Sequence, residues 1–318
     1  MRQVNEDLVT WRKTTLACGD AMLSRCRLKS QCQALTVFVV GNTGLEKVLT
    51  NCPDFFLHKK CRIIKSEKKI QVGYVPLRIR GEIRGVYLKW HHAVSFGHRV
   101  ASLFVASAAM RSLSGAAVLL QAGYATAQPI AALEYRRRGV LRKSLYLSEE
   151  VTGAKTVENF WREDLIVSRG TEGYRKRRAF LRALARLFKS LHKDKIYHND
   201  LKASNILVGR AGSAENPFVL IDLQGLRRCF YVSKRRRIKN LAQLSRTLGV
   251  YATRTEKLYF VKTYGEDRPS NRMRKRDLVQ SILVETSRQF LKGRLRRSQW
   301  REKSLTLSSA ATRLANKR

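Results

Sequence analysis

The sequence predicts an α+β fold in which strands come first and helices follow. Two observations carry that prediction. Between Cys61 and Leu147 most apolar residues come in short, strand-like runs divided by polar or glycine-bearing turns. From Tyr174 to Leu191, by contrast, Phe180, Leu184, Leu187, Phe188 and Leu191 recur at helical spacing. The 318 residues can bury one large or two smaller cores, and an apolar content of 44% is that of a globular chain.

In order, residues 1–60 form a poorly defined N-terminal extension in which Leu35–Val40 alone resembles a strand. Gly41–Lys47 only faintly suggests a phosphate loop, because the spacing is wrong and no Ser or Thr follows the lysine. Arg62–Ile64 and Ile70–Leu77 flank a polar turn, Lys65–Lys69. Ile79 and a turn at Gly81-Glu82 lead to a strand over Ile83–Trp90. Alternation there places Tyr87 and Lys89 on one face and Val86 and Leu88 on the other. A helix over about Val100–Ala122 stops at Gly123, and no acid occurs between Arg99 and Leu133. Pro129–Tyr135 and Leu141–Leu147 make a hairpin around Arg138-Gly139. Glu158–Val167, Tyr174–Leu191, Leu241–Leu248 and Asp277–Phe290 are helices.

The charge balance narrows the partners. Lys and Arg number 64 against 24 Asp and Glu, a formal charge of +40. That excess implies nucleic acid, an anionic membrane surface or an anionic substrate. No aromatic-studded sheet or recognition-helix motif supports nucleic acid. The six cysteines include no CxxC pair and no zinc-like spacing, which implies reduced thiols. The N-terminus carries Glu6 and Asp7 and no apolar signal core. Val100–Leu133 is interrupted by Arg111, Gly115 and Gly123, so it reads as buried structure rather than a membrane span. Lys234–Arg237 with Lys239 is either a solvated loop or a patch for an anionic acceptor. The basic tail, Lys292–Arg318, either lies on an anionic membrane or is disordered.

The densest chemistry lies in Ile196–Arg228. His198-Asn199-Asp200-Leu201-Lys202-Ala203-Ser204-Asn205 runs straight into the apolar Ile206–Val208. After a Gly/Ser/Asn/Pro turn, Phe218–Ile221 delivers Asp222 in Asp222-Leu223-Gln224-Gly225. A β-ribbon gathering Asp200, Lys202, Asn205 and Asp222 suits phosphoryl transfer. One acid takes the hydroxyl proton and the lysine neutralises the moving group. The amide oxygen and second acid hold Mg²⁺.

This spacing resembles the catalytic and metal-binding loops of the protein kinase-like superfamily. The resemblance implies a bilobal protein kinase-like fold, with a small β-rich N-lobe (61–148) and a mostly helical C-lobe (149–291), followed by the tail 292–318. Val86-Tyr87-Leu88-Lys89 then resembles the strand whose lysine reaches the ATP phosphates, and Ser148–Gly153 resembles the hinge between lobes. Glu149 and Val151 would border adenine there. No glycine-rich loop is present, so Lys65 and its neighbours substitute electrostatically. Arg111-Ser112-Leu113 stands where the glutamate partner of the strand lysine is expected. No long activation segment follows Asp222, which disfavours a peptide acceptor.

VYLKWHH, QAGYATAQPIAALEYRRRG, SLYLSEEVTGA, HNDLKASNILV, FVLIDLQGLR, KNLAQLSRT and LYFVKTYGE together resemble the bacterial lipopolysaccharide kinase (Kdo/heptose kinase) family. That likeness, over about Cys61–Gly265, implies ATP and Mg²⁺ as cofactors. It implies a sugar hydroxyl of the lipopolysaccharide core or lipid A precursor as acceptor, at the inner face of the inner membrane. Asp200 would be the base, Lys202 a transition-state stabiliser, Asn205 and Asp222 the metal ligands, and Lys89 the phosphate lysine. Asn240 stands where the family pattern leads one to expect Asp. An atypical protein or small-molecule kinase and a silent scaffold for anionic polymer or membrane remain open alternatives.

Overall fold

The computed structural model describes residues 11–18, 21–29, 33–40, 45, 49, 61–67, 69–92, 97, 102–213, 216–265 and 276–295. The Gly41–Lys47 stretch and the tail from 296 lie outside them, apart from Leu45. The chain divides into two compact units: 1–156 with 194–199 and 205–230, and 157–193 with 200–204 and 231–318. All described strands fall in the first unit.

That unit is built on an eight-stranded sheet. Its strands are β1 (Trp11–Cys18), β2 (Ala21–Lys29), β3 (Gln33–Val40), β4 (Arg62–Ser66), β5 (Ile70–Ile79), β6 (Glu82–His92), β7 (Pro129–Arg137) and β8 (Val140–Glu149). They lie in the order β1-β2-β3-β7-β8-β6-β5-β4. Every neighbouring pair is antiparallel. The expected strand at Leu35–Val40 is β3, and it joins β7. β1 and β2, not anticipated, continue the sheet beyond it. Lys65 belongs to β4 rather than to a turn, because Lys65 pairs with Val72 and the backbone reverses only between Glu67 and Ile70.

Period-two alternation decides the two faces. Val75, Leu77, Ile79, Val86, Leu88 and Trp90 are buried in one apolar core. The opposite face carries Ala132 and Tyr146, packed by Ala109 and Leu113 of α1 (Ala108–Gln121). α1 begins eight residues later than the periodicity suggests. Ser107 caps it by accepting from Met110 N, which closes the helix start. Gly123, at φ +76°, ends it. Arg138 and Gly139, both at positive φ, make the β7–β8 turn.

The same unit holds β9 (Lys155–Thr156), β10 (Ile196–His198), β11 (Ile206–Ser213), β12 (Asn216–Leu220) and β13 (Leu226–Arg228). They form a three-stranded sheet, β12-β11-β9, and the pair β10-β13.

The second unit is helical among its described residues. It contains the single-turn α2 (Val157–Phe160), α3 (Gly170–Lys193), α4 (Lys234–Thr247), α5 (Arg254–Tyr264) and α6, spanning 276–295. The apolar stripe of α3, including Leu184 and Phe188, is buried. Arg177 of α3 pairs with the nearly buried Glu256 of α5 at 2.8 Å. Glu256 also completes a capping box with Thr253. Lys234–Arg237 forms the first turn of α4, capped by Ser233, and is not a loop.

Candidate active site

Lys89 sits on β6 in a cross-strand row with Val72 of β5, Tyr146 of β8 and Ala132 of β7. This is the face covered by α1. The geometry aims the lysine away from the apolar core, and its Nζ reaches Asp222 Oδ1 at 2.5 Å. The two residues are 133 positions apart in the chain. No helix acid is needed to hold Lys89: Asp222 does so directly.

Asp222 is delivered by a hairpin. Ile206 faces Leu220 across β11 and β12, and Ile221 N donates to Asn205 O at 3.0 Å. That bond places Asn205, buried at the start of β11, beside the strand end bearing Asp222. Asp222 has φ 60° and ψ 53°, a left-handed conformation that costs a non-glycine residue energy and is enriched at functional turns. Two glycines let the neighbouring chain approach. A Cβ on Gly225 would lie 2.9 Å from Asn199 Cβ, and Asn199 N donates to Gly225 O at 3.0 Å. A Cβ on Gly115 of α1 would lie 2.6 Å from Leu223 O. The helix is therefore seated on the turn that follows Asp222.

His91, two residues beyond Lys89 on the same strand face, is held neutral. Burial and then the Lys89 charge lower its pKa to about 4.

Lys65 falls in the same row as Lys89, since Lys65 pairs with Val72 and Val72 with Lys89. Its ammonium is exposed and ion-paired to Glu67 at 2.8 Å. The Ser148–Gly153 segment closes β8. Glu149 N and Glu150 N donate to Gln128 O and Gly85 O. The Glu149 carboxylate pairs with Arg84 at 2.8 Å. Val151 is half-buried against β11: a Cβ on Gly209 would meet Val151 Cγ1 at 3.7 Å. Val151 therefore offers an apolar wall, whereas the Glu149 side chain is engaged with β6.

In the helical unit, Asp200 and Lys202 form an ion pair at 2.8 Å. Their loop is pinned from α4. Leu201 N donates to Gln243 Oε1, and Ala203 N to Thr247 Oγ1, each at 3.0 Å. Asn240, fully buried, donates to Gln243 Oε1 at 3.0 Å. Its own carbonyl lies 3.1 Å from His192 Nε2, and His192 Nδ1 lies 2.9 Å from the Tyr264 hydroxyl. A neutral chain, Tyr264–His192–Asn240–Gln243, thus ends on the backbone of the loop that bears Asp200 and Lys202. It accounts for Asn240 where an acid was expected. Sequence reasoning missed Gln243, Thr247 and Gly115. Only the i,i+3 pairing of Asn240 with Gln243 on one helix face signalled anything.

Among the described residues no cluster of three or more His, Cys, Asp or Glu forms a metal cage. Asn205 and Asp222 supply hard oxygens, the donor type Mg²⁺ takes when phosphates and water complete its shell.

A sheet lysine tied to an acid at a hairpin end, with a His-x-Asp-x-Lys-x-x-Asn loop feeding that hairpin, defines a protein kinase-like phosphotransferase fold. The chain belongs to the lipopolysaccharide kinase (Kdo/WaaP) family, whose profile matches residues 80–264, more than half its length. A solved structure, WaaP in complex with acyl carrier protein, shares the fold. It superposes with a TM-score of 0.54 and 23% identity, over 77% of this chain and 95% of that one. A search of curated proteins returned no match.

Proposed function

We propose that this chain transfers the terminal phosphoryl group of ATP, with Mg²⁺, to a hydroxyl of a Kdo or heptose residue in the lipopolysaccharide inner core. It does so at an anionic inner-membrane surface, as a two-lobed enzyme with its hinge near Ser148–Gly153. The Lys89–Asp222 pair at 2.5 Å carries the reading. An acid and a lysine so far apart in sequence have no local reason to meet. Their meeting at the end of a hairpin that also bears Asn205 fits a phosphate and metal site.

The residues divide the labour. Bound Mg²⁺–ATP supplies the transferable group and the charge that holds it. Asp222 and the Asn205 amide oxygen ligate the metal, and Lys89 binds phosphate oxygens. Lys65, in the same strand row, adds positive charge where glycine-rich-loop amides are absent. Val151 and the backbone at Glu149 border the base. Asp200 orients the acceptor hydroxyl and receives its proton. Lys202, ion-paired to Asp200, neutralises charge on the transferring group. Little covalent work falls to the protein, so positioning is nearly all it contributes.

The test is phosphate incorporation into purified core oligosaccharide by the wild type and by Asp200→Asn. Wild-type turnover abolished in the variant is the expected result, and equal incorporation in both overturns the reading.

A further inference from the structure

α1 is preceded by a turn that leaves three large apolar residues in water. Leu103 is 54% exposed, Phe104 86% and Val105 52%. An isolated exposed Leu is ordinary, but three in succession with Phe at the tip are not. Nor is the turn slack. Ser102 Oγ accepts from Leu141 N at 3.1 Å, and Ser102 O accepts from Arg136 Nη1 at 3.1 Å. On the other side, Ala106 O accepts from Arg111 Nη1, and Ser107 caps α1. Both stems are fastened, so the apolar tip is held out instead of folding back.

The fastening partner is basic. Arg136 also donates to Gly139 O, which locks it to the β7–β8 turn. Arg137, Arg138 and Arg142 of that hairpin are exposed. From Ser102 to Ser148 the sequence has six basic residues and one acid, Glu134, which is paired to Arg136. An apolar tip rimmed by arginines complements a surface that is apolar within and anionic at its edge. A bilayer with anionic headgroups meets both conditions.

We propose that Leu103-Phe104-Val105 is a wedge that enters the interfacial layer of an anionic bilayer, with Arg137 and Arg138 on its headgroups. The wedge rests on the membrane-surface reading above and names the surface responsible.

Co-sedimentation of the full chain with phosphatidylethanolamine vesicles, with and without phosphatidylglycerol, tests it. Phe104→Asp weakens partitioning by about tenfold or more, because the buried ring is lost. Arg137→Gln with Arg138→Gln weakens it about fivefold per charge, and only when phosphatidylglycerol is present. Phe104→Trp gains a blue-shifted emission component on anionic vesicles relative to wild type. Vesicle binding unchanged in Phe104→Asp, or emission of Phe104→Trp unmoved on binding, overturns the wedge. Either result assigns the patch to a protein partner instead. Phosphotransfer to soluble core oligosaccharide separates this from the kinase reading. Phe104→Asp keeps that activity. A wild type that binds vesicles through Phe104 yet phosphorylates no sugar would sink the kinase reading alone.

Discussion

Lys89 and Asp222 hold one another where a kinase helix would ordinarily offer a glutamate. α1 presents Arg111, Ser112 and Leu113 instead, so the Asp222 carboxylate holds the lysine and, in the proposed mechanism, would serve the metal as well. That economy makes the two residues separable by experiment. Lys89→Met and Asp222→Asn should each lower turnover by about a thousandfold, since removed site electrostatics are seldom replaced. Only Asp222→Asn should also make nucleotide affinity indifferent to Mg²⁺, as calorimetry with and without the metal will show. A residue-scale pH effect follows from two imidazoles. Burial lowers His192 to about 4, and burial with the Lys89 charge lowers His91 to about 4, both from 6.5. Between those values the unfolded chain binds protons that the folded chain excludes. Stability is therefore complete above pH 6.5 and lost on acidification towards 4, by up to about 3 kcal/mol per ring. Urea midpoints measured across that window should fall with pH, and His192→Gln should remove its share of the slope.

At the scale of elements, α1 is seated on the turn that follows Asp222. Gly115→Ala would thrust a methyl against the Leu223 carbonyl, 2.6 Å away. Overpacking of this kind costs about 1–3 kcal/mol. A lowered Tm together with a raised KM for ATP is expected; unchanged values for both would show that the helix is not seated there. α4 pins the loop that bears Asp200. Gln243→Leu leaves Leu201 N without its acceptor and loosens the Asp200 loop, so kcat should fall about tenfold or more. Nucleotide affinity should hold, because Lys89 and Asp222 do not depend on that bond. The elements also differ in how plainly the sequence displays them. β5, β6 and the β7–β8 hairpin were legible because one face is buried and alternation survives. α3 was legible from Phe180, Leu184, Leu187 and Leu191. β1 and β2 were not, since their small and basic residues keep no clear period. Lys234–Arg237, legible only as a solvated loop or an acceptor patch, gave no sign of a helix because four cations hide a helix start that only Ser233 announces. Motif spacing singles out Lys89, Asn205 and Asp222 as candidates, and the hairpin sets Asn205 beside the strand end that bears Asp222, which pairs with Lys89. The bond from Leu201 to Gln243 could not be found that way, because partners 42 positions apart leave no trace beyond the weak Asn240–Gln243 spacing on one helix face.

Across the whole molecule, +40 of formal charge acts in two opposing ways. Like charges repel and destabilise the compact chain, while the same field draws anionic acceptors and lipid surfaces towards it. Salt screens both, over a Debye length of about 10 Å at 0.1 M. Added NaCl should therefore raise Tm and, over the same range, raise KM for an anionic core oligosaccharide. The two must move together, because one screening length governs both. kcat should change far less, since the Lys89–Asp222 pair is only about a quarter exposed, at 23% and 27%, and buried charges are screened weakly. A neutral sugar acceptor gives the control: its KM should stay level while Tm still climbs. If KM for the anionic acceptor were flat while Tm rose, the surplus charge would serve neither substrate capture nor steering. The positive surface would then have to be explained by the membrane alone.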